Sequence, residues 1–408
     1  MALNALYVDF NSYFASVEQQ LRPELRGKPI GILAVMAETT CCIAASYEAK
    51  AVGIKTGTGV RDARKLCKDI IFVEARPPLY VQYHHKLIEI VETCTHVEKV
   101  LSIDEMVCFL TGSQQVKENA LKLATKIKRE INKQYPFIRS SIGIAPNTFL
   151  AKTASNMQKP DGCVVIEDAD IPQKLFSLKL RALNGISSQM EARLNRYRIE
   201  TIEHLYAANR QQLRAAWGSI EGERYYDKLR GIEPYYVKNA RSSLGHSHVM
   251  SPEQRTPIGA KAVLHRLLQK AAMRMRSYEL LTSRISIKVK FRSQPSFNAD
   301  SGCNATDNTL HLTESLETLW QQYPTHGAEP VAVGVSFSGL VNMQDVAYDL
   351  FAEKPSATEK KLNKALDILN LKYGKNTVYF AGAHDALKDA PMRIAFNHVP
   401  DMVIESNN

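Results

Sequence analysis

Long apolar runs are missing from this chain: nowhere do about 18 apolar residues follow one another, so no segment reads as a membrane-spanning helix. Residues 1–4 offer neither the basic start nor the apolar core of a secretory signal, and the protein is expected to stay in the cytosol. Cys-x-x-Cys pairs are missing too, which removes a common zinc-site spacing. The seven cysteines are odd in number, with Cys41 and Cys42 adjacent, and read as reduced and mostly buried. Repeats and low-complexity tracts are lacking, and 45% hydrophobic with 23% charged residues is the composition of a folded chain. At 408 residues it is too long for one core, so two to four domains are expected.

Acidic residues are scarcest between positions 241 and 297. There eleven basic residues (Arg241, Arg255, Lys261, Arg266, Lys270, Arg274, Arg276, Arg284, Lys288, Lys290 and Arg292) face only Glu253 and Glu279. That is a local surplus of nine in a chain whose total is +10. So concentrated a patch suits a phosphate backbone, and a solvated basic face is the competing reading.

Periodicity supplies the organisation. Residues 3–10 form a short apolar run with Asp9 near its end, a buried strand that delivers a carboxylate. Helical spacing marks 14–21, 46–52, 79–95, 115–134 and 147–157, and strand patterns mark 31–35, 41–45, 100–110 and 140–145. This alternation predicts an α/β core. Residues 171–231 read as short helices, and Leu183-Asn184-Gly185-Ile186 resembles the turn of a helix-hairpin-helix, whose backbone N–H groups meet DNA phosphates. Arg198 stands where the second hairpin usually has glycine, so a plain helical connector remains open. After a linker, Val263, Leu264, Leu267, Leu268, Ala271 and Met275 share one helical face. Strand 285–292 alternates Ile285, Ile287, Val289 and Phe291 with Ser286, Lys288, Lys290 and Arg292, one side core and the other mostly cationic. Strand 331–337 has small residues opposite its apolar ones, and together these elements predict a βαββαβ-like module.

The sharpest chemical feature is Asp9 together with the pair Asp104-Glu105, each set in an apolar strand where an ionised carboxylate is costly without compensation. Mg²⁺ prefers such hard oxygen ligands and accepts substrate phosphates in the rest of its shell. On their own these acids would more readily be read as salt-bridge or capping residues.

Their surroundings decide between the readings. The stretch Tyr7-Val8-Asp9-Phe10-Asn11-Ser12-Tyr13-Phe14, continuing through Glu18, resembles the opening motif of Y-family DNA polymerases. Ala45-Ser46-Tyr47-Glu48-Ala49-Lys50, continuing to Lys55, resembles its second motif, Ser102-Ile103-Asp104-Glu105 its second acidic motif, and residues 141–162 its closing palm motif. The resemblance spans about residues 1–345 and is closer to the bacterial DinB and UmuC branches, which places the protein at the bacterial nucleoid.

The resemblance implies an α/β (α+β) multidomain right hand: palm 1–25 and 75–168, small fingers 26–74, helical thumb 169–232, linker 233–243, DNA-binding little finger 244–345 and a tail from 346 to 408. It implies two Mg²⁺ ions, replaceable by Mn²⁺, held by Asp9, Asp104, Glu105 and the Phe10 carbonyl, with the three acids catalytic. Phe14 would be the steric gate that excludes a 2′-hydroxyl, the alternative being a core residue at a helix start. Tyr13 and Asn11 would line the nucleotide, and Tyr47, Lys50 and Lys159 would meet the triphosphate. Position 50 is usually Arg in the motif, so Lys50 makes a looser, unforked contact. Ile43 and Gly57 would roof the base pair with room to spare, lowering shape discrimination. Lys152 would meet primer phosphates or be solvated, and Glu48 is structural. Gly185, Lys288, Lys290 and Arg292 would contact DNA.

The activity so implied is low-fidelity, template-directed extension of a primer past damaged bases by a monomer. Its partners would be primer-template DNA, a deoxynucleotide and, through Tyr348-Asp349-Leu350-Phe351, a sliding clamp. Gln344 is too distant for the usual clamp-peptide spacing, and helix packing is the alternative. Residues 358–382 read as an amphipathic helix followed by a strand-like run, similar to UmuC-like tails. A catalytically silent scaffold of the same fold, or a non-enzymatic DNA-binding accessory, is the alternative function, and the three acids present argue against it.

Overall fold

The structure is a computed structural model that describes residues 2–236, 241–324, 327–345, 357–374, 377–390, 392 and 399–400. Twelve strands are seen among them: β1 Ala5–Phe10, β2 Ile30–Leu33, β3 Cys42–Ala45, β4 Ile71–Glu74, β5 Lys99–Ser102, β6 Glu105–Phe109, β7 Ser140–Ala145, β8 Cys163–Val165, β9 Ser243–Val249, β10 Leu280–Phe291, β11 Phe297–Thr306 and β12 Pro330–Asn342. They form a five-stranded sheet in the order β5-β6-β1-β7-β8, a four-stranded sheet β11-β10-β12-β9 and a three-stranded sheet β3-β2-β4.

Helices α1 Tyr13–Leu21, α2 Tyr47–Ala51, α3 Val60–Leu66, α4 Pro77–Glu92, α5 Lys117–Gln134 and α6 Thr148–Met157 accompany the first and third sheets. Every residue of β1 is buried. Its side chains alternate: Leu6, Val8 and Phe10 enter the core shared with α4 and α5, while Ala5 and Tyr7 enter the core shared with α6. Asp9 continues the second row and therefore points to the α6 side. Helix α6 lies hard against the sheet because β7 has glycine at the contact: a Cβ on Gly143 would stand 1.9 Å from the Ala151 carbonyl oxygen. That close approach is what brings Lys152, on α6, within reach of Asp9.

The strand expected over 100–110 is instead the hairpin β5–β6, with Ile103 and Asp104 as its two-residue turn closed by the Ser102–Glu105 pair. His84, on α4, is buried and donates through Nδ1 to the Ile103 carbonyl at 2.7 Å, tying the turn to the helix. Burial pushes the His84 imidazole down to about 4, His85 adds to the effect, and the Ile103 bond opposes it. A folded-state value below the unfolded one means stability is full above the ordinary value of 6.5 and is lost as pH falls through that value toward 4. The wild type should therefore lose more stability between pH 7 and 4.5 than His84→Gln, by roughly 2 kcal/mol in urea denaturation; equal slopes would refute this.

Short helices follow: α7 Gln173–Phe176, α8 Ser188–Arg196, α9 Ile202–Ala207, α10 Arg210–Trp217 and α11 Glu221–Leu229. Gly185 has φ +89° and Arg198 φ +59°, so the left-handed turn that glycine usually provides is present at both hairpin positions. The third unit runs β9, α12 Pro257–Ser277, β10, β11, α13 Thr309–Trp320, β12, a βαββαβ order as the sequence predicts. All six predicted apolar residues of α12 are buried, as are Ile285, Ile287, Val289 and Phe291.

The tail packs on this unit. Helix α14 Ala357–Tyr373 supplies Asp367, which takes a two-pronged contact from Arg276 at 2.6 and 2.8 Å. Beyond it, the strand-like run is not a strand: the described residues lead without pairing into a 3-10 turn, Ala381–Ala386. Gln269 holds the Phe380 backbone there, and Lys270 donates to the Ala390 carbonyl at 2.8 Å. Of the seven free cysteines Cys42 and Cys108 are buried, Cys41 is exposed and the other four are partly buried, fewer buried than expected, since Cys67 and Cys94 follow helix ends and Cys163 and Cys303 lie on edge strands. Among the described residues no helix is long and apolar enough to cross a membrane.

Candidate active site

Asp9 and Glu105 are direct cross-strand neighbours on β1 and β6, and the Phe10 amide donates to the Asp104 carbonyl at 2.9 Å. The hairpin turn therefore puts Asp104 beside the end of β1, and all three acids line one cleft of about 390 Å³. Phe10, Tyr13, Phe14, Ile43, Tyr47, Lys50, Lys152 and Lys159 line it as well. Residues far apart in sequence, from the main sheet and from the three-stranded sheet, converge here.

Charge balance in the cleft rests on two lysines. Lys152 lies 3.0 Å from Asp9 and in contact with Glu105, and Lys159 lies 2.7 Å from Asp9. Tyr7 donates its hydroxyl to Glu105 at 2.8 Å, and Ser102 donates to Asp104 at 2.6 Å. Even so, burial pushes Asp104 up to about 6, with Glu105 and Asp9 adding to the rise and the Ser102 bond and Lys152 opposing it. Burial lowers the Lys152 ammonium, but Asp9 and Glu105 outweigh that and hold it above its ordinary value. Among the described residues no three His, Cys, Asp or Glu side chains close into one coordination sphere; the Lys152 ammonium stands between Asp9 and Glu105. The donor set is nonetheless all hard oxygen, crowded, and in need of cations, which is what a divalent ion such as Mg²⁺ fits.

Lys152 is thus neither solvated nor free for primer phosphates. Replacing it with methionine should cost about 3 kcal/mol of stability without divalent ions, since it leaves the partly buried Glu105 facing the buried Asp9, which Lys159 alone then compensates. Added Mg²⁺ should recover part of that in thermal unfolding, and a fully stable Lys152→Met protein would contradict the assignment.

On the opposite wall Lys50 donates to Ser12 Oγ at 2.7 Å and stands 4.5 Å over the Tyr47 ring. Burial and the nearby Lys159 lower its ammonium, partly offset by Asp9 and Asp104. Tyr47 is raised to about 12 by burial and by Asp9, against a hydrogen bond with Ser12. Ser12 adopts φ +48° at the start of α1; its pivotal place was not readable from the sequence.

Phe14 is 4% exposed and stacks on Tyr80 at 4.6 Å with 18° between planes. Tyr80 in turn donates to Glu18 at 2.9 Å. Glu18 is fully buried. Burial raises its carboxyl, but hydrogen bonds from Arg76, Arg22 and Tyr80 win and hold it below its ordinary value. The Tyr13 hydroxyl donates to the Tyr80 carbonyl at 2.6 Å. Glu48 accepts from Gln19 at 3.2 Å, a structural role as expected.

Two predicted nucleotide-site residues do not line the cleft. Asn11, 1% exposed, faces inward, accepts from the Asp161 amide at 2.8 Å and exchanges bonds with Ser141, so it holds the loop that carries Lys159. Gly57 has φ +90° with open space where a Cβ would point. Its glycine answers to backbone conformation as well as to room.

The expected basic surface is smaller than its sequence count. Arg255, Arg266 and Arg274 are buried and bond to backbone carbonyls, and Arg276 pairs with Asp367. Arg292 pairs with Glu329, and Arg284 with Asp300. Lys288 and Lys290 stay on the exposed face of β10, away from the acid cleft, as does Gly185 in the helical stretch. Tyr348–Phe351 lies outside the described residues.

Comparison with known proteins agrees with this geometry. Residues 8–156 match the model of the impB/mucB/samB family, and residues 241–350 that of the family's C-terminal domain. DNA polymerase IV of Moorella thermoacetica is 32% identical over 92% of this chain and 95% of its own. DNA polymerase IV 1 of Bacillus subtilis is 28% identical over 91% of each chain. A solved chimera of the Y-family DNA polymerases Dbh and Dpo4 superimposes with a TM-score of 0.68 at 23% identity, covering 83% of this chain and 100% of the other. The fold is that of a right-hand polymerase with a C-terminal little finger. The chain belongs to the impB/mucB/samB family, the Y-family DNA polymerases, on its bacterial DinB- and UmuC-like side.

Proposed function

We propose that the protein extends a primer 3′-hydroxyl with deoxynucleotides on a DNA template at low fidelity, passing damaged template bases. The observation that carries this reading is the cross-strand pairing of Asp9 with Glu105, with Asp104 on the adjoining turn, inside a cleft whose other wall offers Lys50, Tyr47 and Lys159. Asp9, Asp104, Glu105 and the Phe10 carbonyl would hold two Mg²⁺ ions, with Mn²⁺ as a substitute. When bound, such a pair activates the attacking hydroxyl and stabilises the leaving pyrophosphate.

The chain's own residues do the rest. Lys159, Lys50 and the Tyr47 hydroxyl receive the triphosphate and offset the negative charge that grows on it. Lys159 and Lys152 neutralise the acids before substrate arrives, so the ionised carboxylates are already gathered. The Phe14 ring, braced by Tyr80, forms the floor under the sugar. Ile43 would roof the base pair, and with Gly57 outside the cleft and bare of a side chain, few side chains there test its shape.

The same reading divides the chain into palm 1–25 and 75–168, fingers 26–74, thumb 169–232, linker 233–243 and little finger 244–345, and the presence of three separate sheets supports it. The thumb turn at Gly185 and the exposed row of Lys288, Lys290 and Arg292 would track the duplex backbone without reading sequence. The clamp contact through Tyr348–Phe351 and a monomeric, nucleoid-associated state belong to the same reading. Primer extension with Mg²⁺ on undamaged and damaged templates tests it. Extension past a lesion is expected, and its absence on every template would favour the silent scaffold.

A further inference from the structure

Behind the acid cleft, between α5 and the edge of the main sheet, lies a second cavity of about 370 Å³. Lys128, Arg129, Arg139, Ser140, Asp161 and Cys163 line it, so three cations face one carboxylate. Asp161 is shared between Lys128 at 2.9 Å and Arg139 at 3.0 Å, and Arg129 is held at 3.0 Å by Glu130 on the exposed rim. Lys128 also donates to the Asp161 and Gly162 carbonyls, which fixes its ammonium at the cavity wall.

An independent observation points to a ligand. Ser140 is 2% exposed, and its hydroxyl is buried with no hydrogen-bond partner. Serine at the first position of β7 pairs with Phe10 and faces the α5 side, where its neighbours along the strand, Ile142 and Ile144, are core. A buried hydroxyl without a partner costs about 1–3 kcal/mol, so a serine in this row is expected to meet an acceptor. Cations on the rim and a donor on the floor are complementary to an anion with several acceptor oxygens.

We propose that this cavity binds a phosphoryl oxyanion, as the free ion or as the terminal phosphate of a nucleotide, with Lys128, Arg129 and Arg139 supplying charge and Ser140 Oγ the orienting hydrogen bond. The site is distinct from the acid cleft and needs no divalent ion. Cys163 reports on it: its thiol lines the cavity, partly buried, whereas Cys41 is exposed just before β3.

The test is site-resolved alkylation by iodoacetamide, read by mass spectrometry on the full-length protein in a chelator, at constant ionic strength. Inorganic phosphate should slow Cys163 about threefold once its concentration is about twice the dissociation constant, and leave Cys41 unchanged. Protection should be lost in Ser140→Ala and weakened in Arg129→Gln. Ser140→Ala removes only an unpaired hydroxyl and Arg129→Gln an exposed charge, so both variants should fold. Adenosine 5′-monophosphate acting at lower concentration than phosphate would identify the nucleotide as the ligand, and phosphate acting alone the free ion. Equal slowing by chloride, equal protection in both variants, or no protection at all would overturn the proposal.

Discussion

Replacing Asp104 with asparagine should reduce primer extension by at least about 10³-fold, on the order of 4 kcal/mol of transition-state stabilisation, while making the free protein more stable. The two effects have one cause. Asp104 is partly buried next to Glu105 and Asp9, and desolvation pushes its carboxyl up to about 6. A folded-state value above the unfolded 3.8 means that the ionised group opposes folding at neutral pH, and that the penalty disappears as pH falls below both values. Asparagine keeps an acceptor for the Ser102 hydroxyl and removes the charge, so roughly 2 kcal/mol should be gained at pH 7.5 in a chelator. The gain should vanish near pH 4. Urea denaturation of both proteins with and without EDTA checks this, and a variant that is inactive because it is unstable would contradict it.

Phe14→Val should lower discrimination against ribonucleotides on the order of 10²-fold, the scale on which a shaped pocket rejects one added hydroxyl. On the proposed reading Phe14 would select by occupying space, and its ring is held in place: Tyr80 stacks on it, and Tyr80 is held by Glu18. Shortening the side chain opens that space, at a stability cost of about 2 kcal/mol. The measurement is single-nucleotide incorporation with paired deoxy- and ribonucleotides. Unchanged selectivity in a folded Phe14→Val protein would move the gate elsewhere.

Much of the arrangement was legible because it depends on local pattern. The six-residue apolar strand with Asp9, the alternation along 285–292 and the helical face of 263–275 each encode one buried surface, and each is found. The hairpin at Ile103–Asp104 was not legible. Its turn residues sit in a β-branched run with no glycine, asparagine or proline to mark a break, and tertiary bonds from His84 and Phe10 hold the turn instead. Lys152 was ambiguous for a similar reason. One helical residue gives no sign that Gly143, nine positions earlier on a strand, lets its helix approach close enough to reach Asp9. Counting charges overstated the basic surface, since an arginine buried against carbonyls, such as Arg274, looks the same in sequence as one that meets DNA. The tail was opaque because its partners, Gln269 and Arg276, lie about a hundred residues away.

On the proposed mechanism Asp9, Asp104 and Glu105 jointly hold divalent ions beside an incoming nucleotide. Mn²⁺ titration followed by electron paramagnetic resonance, with primer-template and a non-hydrolysable deoxynucleotide present, tests it most directly. Two ions per chain are predicted for the wild type and loss of at least one in each of Asp9→Asn, Asp104→Asn and Glu105→Gln. Undiminished stoichiometry and affinity in all three variants would contradict the account.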